Sequence, residues 1–287
     1  MRGIQTFDCM MNFVVTGSDG KARDSKPAYS VAHLLADTGH LVGQHPASYL
    51  FKGGGAAPVS TVAEQIELMG EYGIEAGIID IPLDDPDEKL QMLADYPKRF
   101  YGCVSVNPHN GLAEIRKLES LVAENPNIRA CSVLGQAIQR PYNDKIYYPL
   151  YSKACELDLP VIVYVGIPGP RVPGAAQHPM SLDEVMWFFP DLTVVMRHGG
   201  EPWEALCAKL LLKWPNLYYS TSGFAPKYYP KAIVDFANSR GADKIMYAGY
   251  TPTISFARIS TELEKLELRD DIWPRFLRDN AASVFKL

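Results

Sequence analysis

At 287 residues, with 47% hydrophobic and 21% charged residues, the chain is long enough for one large α/β barrel and too apolar to be disordered. A formal net charge of −5 and a sequence pI near 5.7 exclude the basic footprint of a nucleic-acid binder. No run reaches the roughly 18 apolar residues of a membrane span, and Met1 to Asp8 lacks the apolar core of a secretory leader, so a soluble, cytoplasmic protein with no membrane partner is expected.

The first strand-like run is Ile4 to Val15. Residues 17–60 then break the pattern with Gly53-Gly54-Gly55, Pro27, Pro46 and Pro58, and with three of the six histidines, His33, His40 and His45. A long excursion of this kind after a first strand is expected to form a lid over the mouth of a barrel. Thr61-Val62-Ala63-Glu64 offers a capping box, in which hydroxyl and carboxylate each satisfy a free amide at a helix start. Ile66, Met69 and Gly70 share one face of that helix, and Gly73 supplies its stop.

From there, apolar runs alternate with amphipathic ones. Strands are expected at Ala76–Asp80, Phe100–Ser105, Ile128–Leu134, Leu159–Tyr164, Leu192–Met196, Leu217–Ser220 and Lys244–Tyr247. Helices are expected at Leu112–Val122, Tyr148–Leu157, Leu182–Phe189, Pro202–Leu212 and Tyr229–Ser239. Eight such units favour a closed (β/α)8 TIM barrel, one domain over 1–287, above an open doubly wound sheet. No dinucleotide-type glycine motif follows the first strand. The five cysteines (Cys9, Cys103, Cys131, Cys155, Cys207) form no C-x-x-C pair, which points to free thiols in a reducing compartment.

Several motifs recur in a telling order. They are Phe100-Tyr101-Gly102 with Asn107-Pro108, Tyr142-Asn143-Asp144 before Tyr148-Pro149-Leu150-Tyr151, and Leu159-Pro160-Val161. Then come Arg197-His198-Gly199-Gly200 with Pro202-Trp203, Pro215-Asn216-Leu217-Tyr218, Gly241-Ala242-Asp243-Lys244 and Asn280 to Phe285. The ordered set resembles the amidohydrolase-related (amidohydrolase 2) family, with its aminocarboxymuconate-semialdehyde decarboxylase-like members, resorcylate decarboxylases and a metal-independent pyrone-dicarboxylate lactonase.

The resemblance implies metal ligands at strand ends, beginning with two histidines in an I-D-x-H-x-H pattern. Here Phe7-Asp8-Cys9-Met10-Met11-Asn12 puts Met10 and Asn12 at those places. Tyr164 stands where the resemblance implies a third histidine, and Tyr250, aligned on Pro252, where it implies an aspartate. Thioether, amide and phenol are poor ligands for zinc or manganese, so no metal cofactor is expected. His198 matches the family's acid/base histidine, and Glu201, opening the next helix, is positioned to pair with it or to favour the helix N-terminus. Asp8 is retained from the pattern. Tyr164 and Tyr250 either orient substrate or plug the vacated volume, and Trp203 and Phe224 either line a pocket or pack the core. By strand alternation Cys9 points opposite to Asp8 and Met10, as a buried thiol. Asp80 reaches the mouth or caps a loop. Lys52 and Arg171 receive a substrate carboxylate or are solvated, and the excursion histidines are weak substitute ligands.

Two functions follow from the resemblance. One is a metal-independent hydrolase or decarboxylase/lyase acting on a small carboxylated or cyclic substrate with His198 as acid/base. The other is a catalytically silent subunit assembled with a metal-containing paralogue. A homo-oligomer or such a hetero-oligomer is expected.

Overall fold

The computed structural model of the chain describes residues 1–11, 47–50 and 61–287. Its strands are β1 (Thr6–Met11), β2 (Ile74–Pro82), β3 (Phe100–Ser105) and β4 (Ile128–Val133). They continue with β5 (Val161–Tyr164), β6 (Val194–Arg197), β7 (Leu217–Ser220) and β8 (Ile245–Met246). They pair in parallel, in sequence order, in one eight-stranded sheet. The seam closes where Cys9 N donates to Tyr247 O at 3.1 Å and Tyr250 N to Met10 O at 3.2 Å. The fold is a (β/α)8 TIM barrel. Its strands are buried on both faces, which is why they read as continuous apolar runs.

The helices are α1 (Val62–Glu71), α2 (Asp87–Asp95), α3 (Gly111–Glu124), α4 (Tyr148–Glu156) and α5 (Ser181–Phe188). They continue with α6 (Glu204–Lys213), α7 (Lys231–Ala237), α8 (Phe256–Leu263) and α9 (Asn280–Phe285). The capping box of α1 forms: Thr61 N donates to Glu64 Oε2 at 2.7 Å, and Glu64 N to Thr61 Oγ1 at 3.2 Å. Three helices escape the sequence reading. One is α2, mostly polar and starting on Pro86. Another is α8, whose Phe256, Ile259 and Leu263 turn inward at i, i+3 and i+7. The third is α9, whose residues the sequence marks only as a motif. Helix α6 starts at Glu204, two residues later than expected.

The barrel interior is an apolar layer that includes Cys9, Ile78, Cys103, Ile162, Val195 and Met246. Its floor, at the N-terminal strand ends, is sealed by α9, which brings Phe285 to 6.4 Å from Phe7. Strict alternation fails in β1. The pairing with β2 slips between Asp8 and Met11, and Asp8 Oδ1 accepts the Met10 N–H at 3.0 Å. This bulge sends Met10 into the same interior cluster as Cys9, not to the opposite face. No helix among the described residues is long and apolar enough to cross a membrane. Most of the expected lid lies outside the described residues. Within it, the helical turn Ala47–Leu50 places Tyr49 Oη 2.6 Å from Gly169 O on the loop after β5.

Candidate active site at the barrel mouth

The C-terminal strand ends gather polar groups over the apolar layer, as the barrel architecture requires of a site. On β6, Val195 packs inside and Met196 outside, so Arg197 turns back into the barrel. Its guanidinium is fully buried. Nη1 donates to both oxygens of Asp80 at 3.3 Å and to Tyr164 Oη at 3.1 Å, while Nη2 donates to Cys9 O at 3.1 Å. Nε has no partner. Burial alone opposes the charge, but Asp80 and Tyr164 outweigh it and hold Arg197 ionised. Burial, reinforced by Asp80 and opposed by Arg197, pushes the Tyr164 hydroxyl well up, so it stays protonated.

Directly after Arg197 the backbone reverses through left-handed conformations at His198 (φ 71°), Gly199 (φ 83°) and Gly200 (φ 78°). The His198 ring is thereby set between Tyr164, at 4.7 Å and 89° to it, and Tyr250, at 5.1 Å and 87°. Its Nδ1 lies 2.9 Å from Ser222 Oγ, and its backbone N–H donates to the same oxygen at 3.2 Å. Burial first, and the Arg197 charge second, lower its pKa to about 3, so the imidazole is neutral at physiological pH. Gly223 (φ 86°) lies against the ring: an added Cβ would sit 3.2 Å from Nδ1. Gly223→Ala is therefore expected to cost about 1–3 kcal/mol through its left-handed backbone and to displace His198. Thermal denaturation and a crystal structure of the variant check this, and an unchanged melting temperature would contradict it.

Asp8 joins β1 to the segment that follows β8. Oδ1 accepts the N–H of Gly249 at 2.8 Å as well as that of Met10, and Oδ2 has no partner among the described residues. Burial raises its pKa to about 7 against these two hydrogen bonds and Arg197. The structure thus brings Tyr164, His198 and Tyr250 together and places Met10 in the adjoining interior layer. Asn12 lies outside the described residues, as do His33, His40, His45 and Lys52. Glu201 is exposed, and the place beside His198 Nδ1 belongs to Ser222. Trp203 packs on His178, ring centroids 4.4 Å apart. Phe224 packs against Gly199, and the guanidinium of Arg171 lies 4.3 Å over the Tyr49 ring.

Two residues of this mouth escape sequence reasoning. Arg197 carries a signal, a charge closing the apolar run Thr193-Val194-Val195-Met196 on the inward parity. Ser222 carries none, because its role depends on the neighbouring strand. A divalent cation does not fit the described residues. They contain no group of three or more histidine, cysteine or acidic side chains able to hold one. Both oxygens of Asp80 are engaged by Arg197, and burial pushes the Cys9 and Cys103 thiols up.

An eight-stranded parallel barrel with a polar cluster at its C-terminal strand ends is the layout of the (β/α)8 enzymes. Among the (β/α)8 barrels the chain belongs to the amidohydrolase family, whose model (Amidohydro_2, Amidohydrolase) matches residues 80–287. No curated protein matches it. Among solved structures, an uncharacterized TIM-barrel protein from Bordetella bronchiseptica is similar, with TM-score 0.72, 20% identity and 98% of each chain covered. A 5-carboxyvanillate decarboxylase from Novosphingobium aromaticivorans, complexed with manganese and 4-hydroxy-3-methoxy-5-nitrobenzoic acid, has TM-score 0.69 at 17% identity, over 100% of this chain and 97% of that one. A 2,6-dihydroxybenzoate decarboxylase from Rhizobium has TM-score 0.66 at 15% identity, over 100% and 99%. At these identities the likeness is one of fold.

Proposed function

We propose that the chain is a metal-independent hydrolase or decarboxylase/lyase of the amidohydrolase family, acting at the barrel mouth on a small carboxylated or cyclic substrate that meets His198. The observation that carries this reading is the Arg197 guanidinium. It lies between Tyr164 and the end of β1, among the positions where the family resemblance implies metal ligands. A guanidinium fixed there, its charge balanced by Asp80, occupies space that a divalent ion would need. The decarboxylases of similar fold support the substrate class, although a 5-carboxyvanillate and a dihydroxybenzoic acid decarboxylase among them hold manganese, which stands against the metal-free part of the reading. His198 enters any proton exchange from its neutral form, with Tyr164 and Tyr250 walling the site.

Purified protein, assayed on a panel of aromatic carboxylates and cyclic esters, is expected to turn over substrate undiminished by saturating EDTA. His198→Asn is expected to lower kcat by about a hundredfold or more. Stoichiometric manganese whose removal abolishes turnover would overturn the metal-free reading. The silent-subunit reading has one observation in its favour, neighbouring exposed aromatics on α5, with Trp187 71% and Phe188 56% accessible. Native mass spectrometry from the source cells decides it: a stable partner carrying the H-x-H pattern, with no turnover by this chain alone, would establish that role.

A further inference from the structure

Ser222, just after β7, is fully buried, and its hydroxyl already accepts the backbone N–H of His198. A buried hydroxyl proton needs an acceptor of its own. Among the described residues, His198 Nδ1 at 2.9 Å is the acceptor within its reach. If Nδ1 carried the ring proton and donated to Ser222 instead, the hydroxyl proton would be left unpaired. The hydroxyl therefore donates to Nδ1, and the proton of the neutral ring sits on Nε2.

Nε2 has no hydrogen-bond partner among the described residues, and it is not one of the polar atoms sealed from solvent. The ring that carries it is held on two sides by Tyr164 and Tyr250, and Gly223 leaves no slack behind Nδ1. Arg197, the neighbouring residue, adds a buried positive charge facing Asp80 and Tyr164.

We infer that Ser222 is a positioning residue that fixes His198 as a neutral imidazole with its Nε2–H presented at the barrel mouth, as a preset donor to a carboxylate or carbonyl oxygen of the substrate. This rests on the barrel mouth being the active site. A donor oriented in advance needs no reorganisation when negative charge develops on that oxygen. His198 then stabilises charge where the family resemblance implies a proton shuttle.

The test is 15N NMR of the full chain labelled at histidine, with the His198 resonances identified by their loss in His198→Asn. The expected pattern is an unprotonated, hydrogen-bond-accepting Nδ1 and a protonated Nε2. Ser222→Thr is expected to keep that pattern and Ser222→Ala to convert it to a mixture of tautomers. Saturating benzoate is expected to shift the Nε2 signal and to leave Nδ1 largely in place. A protonated Nδ1 in the wild type, an unchanged pattern in Ser222→Ala, or an Nε2 signal indifferent to benzoate would each overturn the inference. Failure of the active-site reading looks different: the expected spectra would hold while His198→Asn turned over substrate at the wild-type rate.

Discussion

Replacing Asp80 with asparagine is expected to destabilise the barrel by about 3–5 kcal/mol, because it strands a buried cation. Arg197 is wholly enclosed, and Asp80 is the carboxylate that balances it. With that charge gone, the guanidinium keeps Tyr164 Oη, the Cys9 carbonyl and at most the amide oxygen of the substituted side chain, none of which carries a formal charge. Arg197→Met is expected to cost less, since the Asp80 side chain retains 20% of its accessible surface and water can take over its solvation. The double variant Asp80→Asn/Arg197→Met is expected to recover much of the loss, as when a buried pair is replaced by uncharged groups. Arg197→Lys is not conservative here, for one ammonium cannot reach Asp80, Tyr164 and Cys9 O along a planar fork. Urea denaturation of the four variants measures these differences. If Asp80→Asn matched the wild type within about 0.5 kcal/mol, the buried pair would not exist as described.

The second large effect is one of pH, and it is hidden in the wild type. Asp8 has a pKa of about 7 in the fold against 3.8 ordinarily, so between those values the fold holds a proton that the unfolded chain has released. Its contribution to stability is full below about pH 4 and is lost as pH rises through 7. His198 works the other way: at about 3 in the fold against 6.5, it rejects a proton that the unfolded chain binds. That contribution is full above pH 6.5 and is lost as pH falls through 3. From about pH 4 to 6.5 the two slopes, each about 1.4 kcal/mol per pH unit at most, oppose and largely cancel. Relative to the wild type, His198→Asn is expected to lose stability as pH rises through this window. Asp8→Asn, which keeps an Oδ1 acceptor for Met10 and Gly249, is expected to gain it. Urea midpoints at pH 4, 5, 6 and 7 check both signs, and parallel curves for all three proteins would exclude the opposition.

Most of the barrel was legible because its physics is local. Strands buried on both faces must be apolar throughout, and a capping box such as Thr61–Glu64 announces a helix start. Helix α2 was not legible, since its Asp87, Glu88, Lys89 and Gln91 mask a short apolar face of Met92 and Leu93. At the mouth, Tyr164, His198 and Tyr250 were reachable because each ends or follows a strand. The bulge after Asp8 was not, because it depends on how β1 meets β2. Ser222 was hidden for a similar reason: its partner is a ring on the preceding strand's exit turn. Proximity in sequence offers Glu201 either as that partner or as a favourable charge at the helix start, and the reversal through Gly199 and Gly200 leaves it exposed.

The seam held by Asp8 also bears on how the molecule is made. Its carboxylate accepts an N–H from a residue 241 positions further along the chain. At translation rates of 5–20 residues per second, β1 has left the ribosome on the order of ten to fifty seconds before Gly249 exists to receive it. Throughout that interval Cys9, Met10 and Met11 lack the neighbour that covers their free edge. The first strand synthesised is thus among the last to be sealed, and a nascent chain stalled before β8 would display an apolar strand to whatever chaperone or sister chain is near.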